Sequence, residues 1–431
     1  MTILFKNSKF AKLTIGNTLS IMGDSIFYLA LVTYASRLDN FPLAISLIAI
    51  SETLPTLFES YFGYLADKTK NKTIHLPNLA FIRAILYLSV GLIFSTNMNA
   101  WNIVFFTIII NFFSDLFGIY SSSLKIPIVK NICNEKNLDQ ALGITNSINY
   151  IVKLIAQFTG AGIIVFLSFS QLAYLNAIMF LLSGITFFLL YREINKEDEA
   201  VQTSKNFIND KNFIETFKYA LNQIKSEKKM FSTIFKIAFI NGIIACIPPL
   251  FEILVASYNY FIIGTYSITI AIMGICISIS ITLGGLLGIK IFKKTSLDNL
   301  ILYFTLFSLL FLFSTFYHSI IFLLINFSAM AFLCGICSPK LSAWLMNSVD
   351  PHIISSSVGI INTILMVSSP LMVIIFTSFV NIFSLRIAII FLTFLILITF
   401  IFSIINFIKD NKKGGYRYGK RIFGYTKKYR R

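Results

Sequence analysis

Charge is what this chain lacks most. Only 13% of its 431 residues are charged while 56% are hydrophobic, whereas a soluble domain carries about 25% charged residues. Such a chain cannot cover its apolar surface with polar groups, which excludes an ordinary water-soluble globule. Acidic residues are the scarcer sign, 19 Asp and Glu against 36 Lys and Arg. No Gly-x-x-x-x-Gly-Lys-Ser/Thr run occurs, so the chain has no phosphate cradle and is not an ATP-driven pump by itself. Nor does His-Glu-x-x-His occur, and His75, His318 and His352 stand far apart near the ends of apolar runs. With no metal-ligand cluster and no nucleophile–base set, neither an enzyme nor a cofactor is expected. Five cysteines are present. Cys334-Gly-Ile-Cys337 has redox spacing, but it sits inside an apolar run rather than beside a βαβ pattern, and reads as two small helix-packing residues.

Hydrophobic length is what the chain has in abundance. Runs of about 20 apolar residues, enough to cross ~30 Å of hydrocarbon, recur near 11–36, 42–66, 74–95, 100–123, 138–167, 171–191, 230–256, 262–289, 297–316, 319–345, 353–379 and 383–408. They predict an all-α membrane protein with twelve transmembrane helices. The first run follows Lys6, Lys9 and Lys12, contains Asp24 and has no small-residue cleavage site, so it reads as a span rather than a signal peptide. With the N-terminus inside, Lys68, Lys70, Lys72, Lys125, Lys130, Lys136, Lys290, Lys293 and Lys294 all fall on one side. The opposite loops keep little beyond Arg37, with Arg386 just inside a span. The positive-inside rule then places both termini in the cytoplasm, in a plasma membrane. The net charge of +17 is thus explained by topology and by lipid headgroups as partners, without nucleic acid. The bias towards Ile, Asn, Lys and Phe points to an AT-rich, bacterial genome.

The most polar segment, 192–229, divides an N-terminal six-helix bundle, 1–191, from a C-terminal one, 230–408, which is followed by a basic tail, 409–431. Within the divider, Phe213, Ile214, Phe217, Ala220, Leu221 and Ile224 share one helical face. That pattern predicts a helix lying on the membrane surface, with a partner-binding helix as the alternative. The tail interleaves Tyr and Arg, a pattern that can stack on single-stranded nucleic acid, but cations placed directly after a span are drawn to anionic headgroups. Two internal matches support a duplication. Gly143, Ile144, Asn146 and Ile148 align without gaps on Gly359, Ile360, Asn362 and Ile364. Gly63, Leu65, Lys68, Lys72 and Thr73 align on Gly285, Leu287, Lys290, Lys294 and Thr295, with Ile289 opposite Asp67. Both matches lie about half the chain apart, which predicts two pseudo-symmetric six-helix halves, an arrangement that builds alternating-access transporters.

A charge inside a span costs roughly 2.5–3.5 kcal/mol near a helix centre, so it should face protein or water and find a partner. Asp24, Glu52 and Lys153 lie mid-span at similar depth; Glu59 lies nearer one end, and Arg83 and Asp115 share a level. Arg83–Asp115 reads as a structural ion pair, with direct transport work as the alternative. Asp24, Glu52 and Lys153 are the candidates for coupling to protons and substrate, because a carboxylate in such a cavity can take up and release protons and attract a cation. The alternative is an Asp24–Lys153 pair that only ties two helices together. Glu252 falls near the outer end of its span, where solvation is expected to be easy. Gly160 and Gly162, and Gly284, Gly285 and Gly288, remove bulk where helices can pack closely. Pro55, Pro248, Pro249, Pro339 and Pro370 mark expected kinks.

Several of these residues carry a resemblance. Ser20-Ile-Met-Gly23-Asp24 with Ala30-Leu31, Gly63-x-Leu65-Ala66-Asp67-Lys68, Arg83-Ala84, Ile126-Pro127, Leu138-x-x-Ala141-x-Gly143 and Gly160-Ala-Gly162 together resemble the major facilitator superfamily over essentially the whole chain. In detail they resemble its drug-exporter branch, which includes macrolide-efflux-like permeases. Lys70 and Asn71 replace the Gly and Arg of that family's basic turn, and the glycine-rich motif lacks its usual proline. The resemblance implies a monomeric secondary transporter that exports an amphipathic or cationic small molecule in exchange for protons. The same frame serves for carrying another solute (a nutrient, siderophore or lipid), or for a non-transporting receptor or assembly factor. It also implies that Gly63, Asp67 and Lys68 form a conformational latch. Asp67 would face the N-terminus of the helix that starts at Ile353, where the helix dipole favours a carboxylate, and only while the cytoplasmic side is shut.

Overall fold

The computed structural model describes residues 7–133, 138–198, 228–288, 291–293, 295–348 and 354–412. The connector face from Phe213 to Ile224, the tail beyond Lys412, Ile353, Ile289, Lys290 and Lys294, and the side chain of Asp67 lie outside the described residues.

Apolar runs become helices because every backbone donor and acceptor in hydrocarbon must be paired within the segment. The helices are α1 (Ser8–Ala35), α2 (Phe41–Thr53), α3 (Glu59–Lys68), α4 (Lys72–Phe94), α5 (Ala100–Cys133), α6 (Leu138–Phe166) and α7 (Phe169–Asp198). They continue with α8 (Lys228–Ser257), α9 (Tyr266–Leu283), α10 (Leu297–Phe316), α11 (Ile320–Ser348), α12 (Ile354–Ile382) and α13 (Leu385–Lys412). No strand occurs among the described residues. Among the described residues, twelve segments are long and apolar enough to cross a membrane; the second joins α2 and α3 through the 3-10 turn Leu54–Phe58.

Local chemistry sets several of these boundaries. Asn7 Oδ1 caps α1 by accepting from the backbone N–H of Lys9 and Phe10, both at 3.1 Å, which satisfies donors that have no partner within the helix. Pro55 interrupts the second span as expected, and the interruption takes the form of that 3-10 turn. α8 and α12 stay continuous through Pro248, Pro249 and Pro370. The turn between α3 and α4 has Asn71 in the left-handed region, φ 48° and ψ 51°, a conformation that asparagine tolerates better than most side chains.

The fourth span differs from expectation. It does not end at 123 but runs on to Cys133. Leu124, Ile128, Val129 and Cys133 are buried against Phe10, Leu13 and Leu76, so the polar residues after Ser121 occupy one face of a helix whose other face is core.

The chain divides into two compact units. The first comprises residues 1–279 and 345–388. Within it α7 packs against α4 and α1, α6 against α1, and α5 against α4; α8 pairs with α12, which runs along α2, the 3-10 turn and α3. Asn381 of α12 donates to Ser46 of α2 at 2.9 Å. The second unit comprises residues 280–344 and 389–431. In it the π-helical turn Gly284–Gly288 lies against α11, where a Cβ on Gly284 would overlap the Phe332 carbonyl. Lys340 donates to the carbonyls of Phe292 at 2.6 Å and Thr295 at 2.7 Å.

Candidate functional site

The site is built on α1, α2, α4 and α5; α2 contributes Glu52 and α4 Arg83, while α1 and α5 each contribute a row of residues at helical spacing. On α1 these are Asn17, Ser20 and Asp24; on α5, Asn111, Ser114 and Asp115, with Gly118 on the same face. Residues three and four apart share a helix face, so each set points one way.

Arg83 of α4 holds the two sets together. Its Nη2 donates to Asp24 Oδ1 at 3.0 Å and to Oδ2 at 2.9 Å, its Nη1 to Ser20 Oγ at 3.0 Å, and its Nε to Ser114 Oγ at 2.9 Å. The guanidinium stands 4.0 Å from the centre of the Phe180 ring, close enough for a cation–π contact. Gly118 leaves it room, since a Cβ there would come within 3.2 Å of Cζ. Asp115 Oδ1 lies farther away, at 3.8 Å. The tight partner of Arg83 is therefore Asp24 rather than Asp115. Asn111 extends the network by donating to Glu52 Oε1 at 2.8 Å and to Asp115 Oδ2 at 3.0 Å, while accepting from the Tyr87 hydroxyl. Asp24, Arg83, Asp115, Asn111 and Glu52 thus form one connected chain, in which the Arg83–Asp115 ion pair expected from the sequence is present at 3.8 Å beside the tighter Arg83–Asp24 pair.

Two cavities open on this chain and share Ile21, Asp24, Glu52 and Asp115 as wall residues. One, of about 440 Å³, is also lined by Glu59, Arg83, Lys125 and Asn17. The other, of about 490 Å³, reaches Lys153, Gln157 and Glu252. Lys153 is an exposed wall residue that makes no ion pair among the described residues. The Asp24–Lys153 tie is therefore not formed in this structure.

Two charged groups were missed in the sequence. Lys125, counted above as a loop lysine, lies on the extension of α5 and bonds Asn17 Oδ1, whose Nδ2 donates to Asn149 at 2.8 Å. Glu252, expected to be solvated, is only 1% exposed and accepts from the Tyr28 hydroxyl at 2.6 Å. Proximity to a span end says nothing about what packs on that face, and α1 supplies the cover. The regular Asn and Ser spacing around Asp24 and Asp115 was the signal that could have revealed the network.

The remaining candidates fall elsewhere. Lys68 is exposed with its Nζ 4.6 Å from the centre of the Tyr64 ring, and a Cβ on Gly63 would meet nothing within 4 Å. Gly160 faces α1, where a Cβ would touch Leu29 at 3.4 Å. Gly162 faces open space, so it relieves no helix contact.

The profile of the Major Facilitator Superfamily matches residues 13–371. The chain belongs to that superfamily. It is a multi-pass membrane transporter and not an enzyme. A curated relative, the uncharacterized MFS-type transporter YfiS of Bacillus subtilis (strain 168), is 29% identical over 194 residues. That match spans 44% of this chain and 44% of the relative, less than half of either. Among solved structures, a mutant of the nucleoside transporter NupG superposes with a TM-score of 0.70 at 13% identity, covering 92% of this chain and 99% of that one. The peptide transporter POT in complex with sulfate gives 0.69 at 12% identity, covering 95% of each chain. At such identities the likeness is one of fold. A major facilitator binds small-molecule substrates, and the two cavities, lined by polar and apolar side chains together, are of a size to hold one.

Proposed function

We propose that this transporter exports an amphipathic or cationic small molecule, of the drug or macrolide-like kind, in exchange for protons. It would work as a monomer by alternating access between the halves 1–191 and 230–408, with both termini cytoplasmic. The observation that carries this reading is the charge inventory of the cavity walls. Five carboxylates (Asp24, Glu52, Glu59, Asp115 and Glu252) face three bases (Arg83, Lys125 and Lys153), and the ion pairs among the described wall residues all run through Arg83. Unbalanced carboxylates inside a membrane are costly, so the surplus must be neutralised by protons or by a cationic cargo. Groups that can hold one or the other, but not both together, couple the two fluxes.

Gly63, Asp67 and Lys68 belong to this proposal as the latch, supported by the packing of α12 along α3. The test uses inverted membrane vesicles with an acidic interior. Proton-driven uptake of ethidium is expected, and Asp24→Asn should abolish its dependence on the gradient. Uptake that ignores the gradient, or an Asp24→Asn variant that responds like the unaltered protein, sinks the coupling mechanism.

A further inference from the structure

Glu252 has a role that neither the Arg83 network nor the latch assigns to it. It is 1% exposed, on α8, and its two oxygens have different fates. One accepts from Tyr28 at 2.6 Å; the other, Oε2, is buried without a hydrogen-bond partner although Glu252 lines the cavity of about 490 Å³. A buried polar atom left unpaired is costly and rare in folded proteins. A second orphan lies on the same wall. Gln157 Oε1 of α6 is buried and unpaired, and its amide occupies the space that a side chain at Gly274 would fill. The two groups come from different helices.

Both orphans are acceptors. A ligand that satisfies them must donate, and one that also offsets the charge of a carboxylate is a cation. The other charged groups on this wall are Asp24, Glu52, Asp115 and Lys153, so acid outnumbers base here even with Arg83 held on Asp24. Ser25 and Asn111 add neutral polar groups, and the apolar part of the lining is Ile21, Leu29, Pro248, Ile270, Met273 and Ile277. Convergent polar groups beside an apolar wall, in a cavity of this volume, suit a small-molecule site.

We propose that Glu252, held by Tyr28 and assisted by Gln157, receives the protonated amine of the cargo, an amphipathic ammonium ion whose hydrocarbon body lies on the apolar wall. The assignment rests on the reading of this protein as a carrier of cationic compounds, and adds the group that recognises the charge. It separates that role from Asp24, which is occupied by Arg83.

The test is equilibrium binding to the full-length protein in detergent with two tricyclic probes, imipramine, a protonated tertiary amine, and carbamazepine, which is neutral. Glu252→Gln, which can still accept from Tyr28, should weaken imipramine roughly 10- to 100-fold, as expected for a hydrogen bond to a charged group, and leave carbamazepine unchanged. Gln157→Leu provides a second variant should Glu252→Gln fold poorly, with a several-fold loss confined to imipramine. Three results overturn the assignment: no saturable imipramine binding to the unaltered protein, equal loss of both probes in a monodisperse variant, or no loss in either variant. Binding requires no gradient, so a protein that binds imipramine through Glu252 yet shows no proton-driven uptake refutes the coupling mechanism and leaves this subsite standing.

Discussion

Replacing Arg83 by Met keeps most of the side-chain volume and removes the charge that organises the site. Removing one partner of a buried ion pair typically costs about 3–5 kcal/mol, because the other charge is left uncompensated. Arg83 keeps 6% of its side-chain surface exposed and Asp24 33%. Cavity water can therefore hydrate the abandoned carboxylate, which places the expected loss near the lower end, about 3 kcal/mol. The hydroxyls of Ser20 and Ser114 also lose an acceptor role, but each can rotate to another partner and adds less than about 1 kcal/mol. Asp24→Asn introduced together with Arg83→Met removes the uncompensated charge, so the double variant should recover about 2 kcal/mol relative to the sum of the single losses. The cycle with Asp115→Asn should show a smaller coupling, because Asp115 lies 3.8 Å from Arg83 and is also bonded by Asn111. Unfolding in dodecyl sulfate, followed by far-ultraviolet circular dichroism, measures all of these differences. An Arg83→Met variant within about 1 kcal/mol of the unaltered protein, or single losses that simply add, would refute the network as drawn. A stronger coupling to Asp115 than to Asp24 would instead make the Arg83–Asp115 pair read from the sequence the dominant one.

Two further outcomes follow from other parts of the molecule. Gly284→Ala places a methyl group on the Phe332 carbonyl, a backbone atom that cannot swing away, and should lower stability by about 1–3 kcal/mol; an unchanged melting temperature would contradict that close approach. Asp67→Asn should slow transport while leaving equilibrium affinity for imipramine nearly unchanged, as expected of a contact made in only one conformational state. Loss of affinity along with transport would show that Asp67 is not a latch.

The positions of the helices were legible in the sequence because hydrocarbon leaves a segment no alternative to internal hydrogen bonding. Errors arose where a helix outlasts its apolar run. The extension of α5 to Cys133 depends on burial of Leu124, Ile128 and Val129 by α1 and α4, which no local pattern records. The candidate site was legible as a set of costly charges, Asp24, Glu52, Lys153, Arg83 and Asp115, but not as a set of bonds. Depth along a span is available from residue numbers; the direction in which a side chain leaves its helix relative to a neighbour is not. Arg83 and Asp115 share a level, yet the guanidinium is turned towards Asp24 by Ser20 and Ser114 and seated on Phe180.

Composition and run length alone determine that this chain is a membrane protein with twelve spans, and its motifs carry the family, since both depend on what lies within a segment. Which carboxylate holds Arg83, that Lys153 pairs with none of them, and that Glu252 is buried with one oxygen unanswered are decided by tertiary packing. Each depends on which faces of α1, α4, α5, α6 and α8 meet, and a single helix carries no record of the face its neighbour will present.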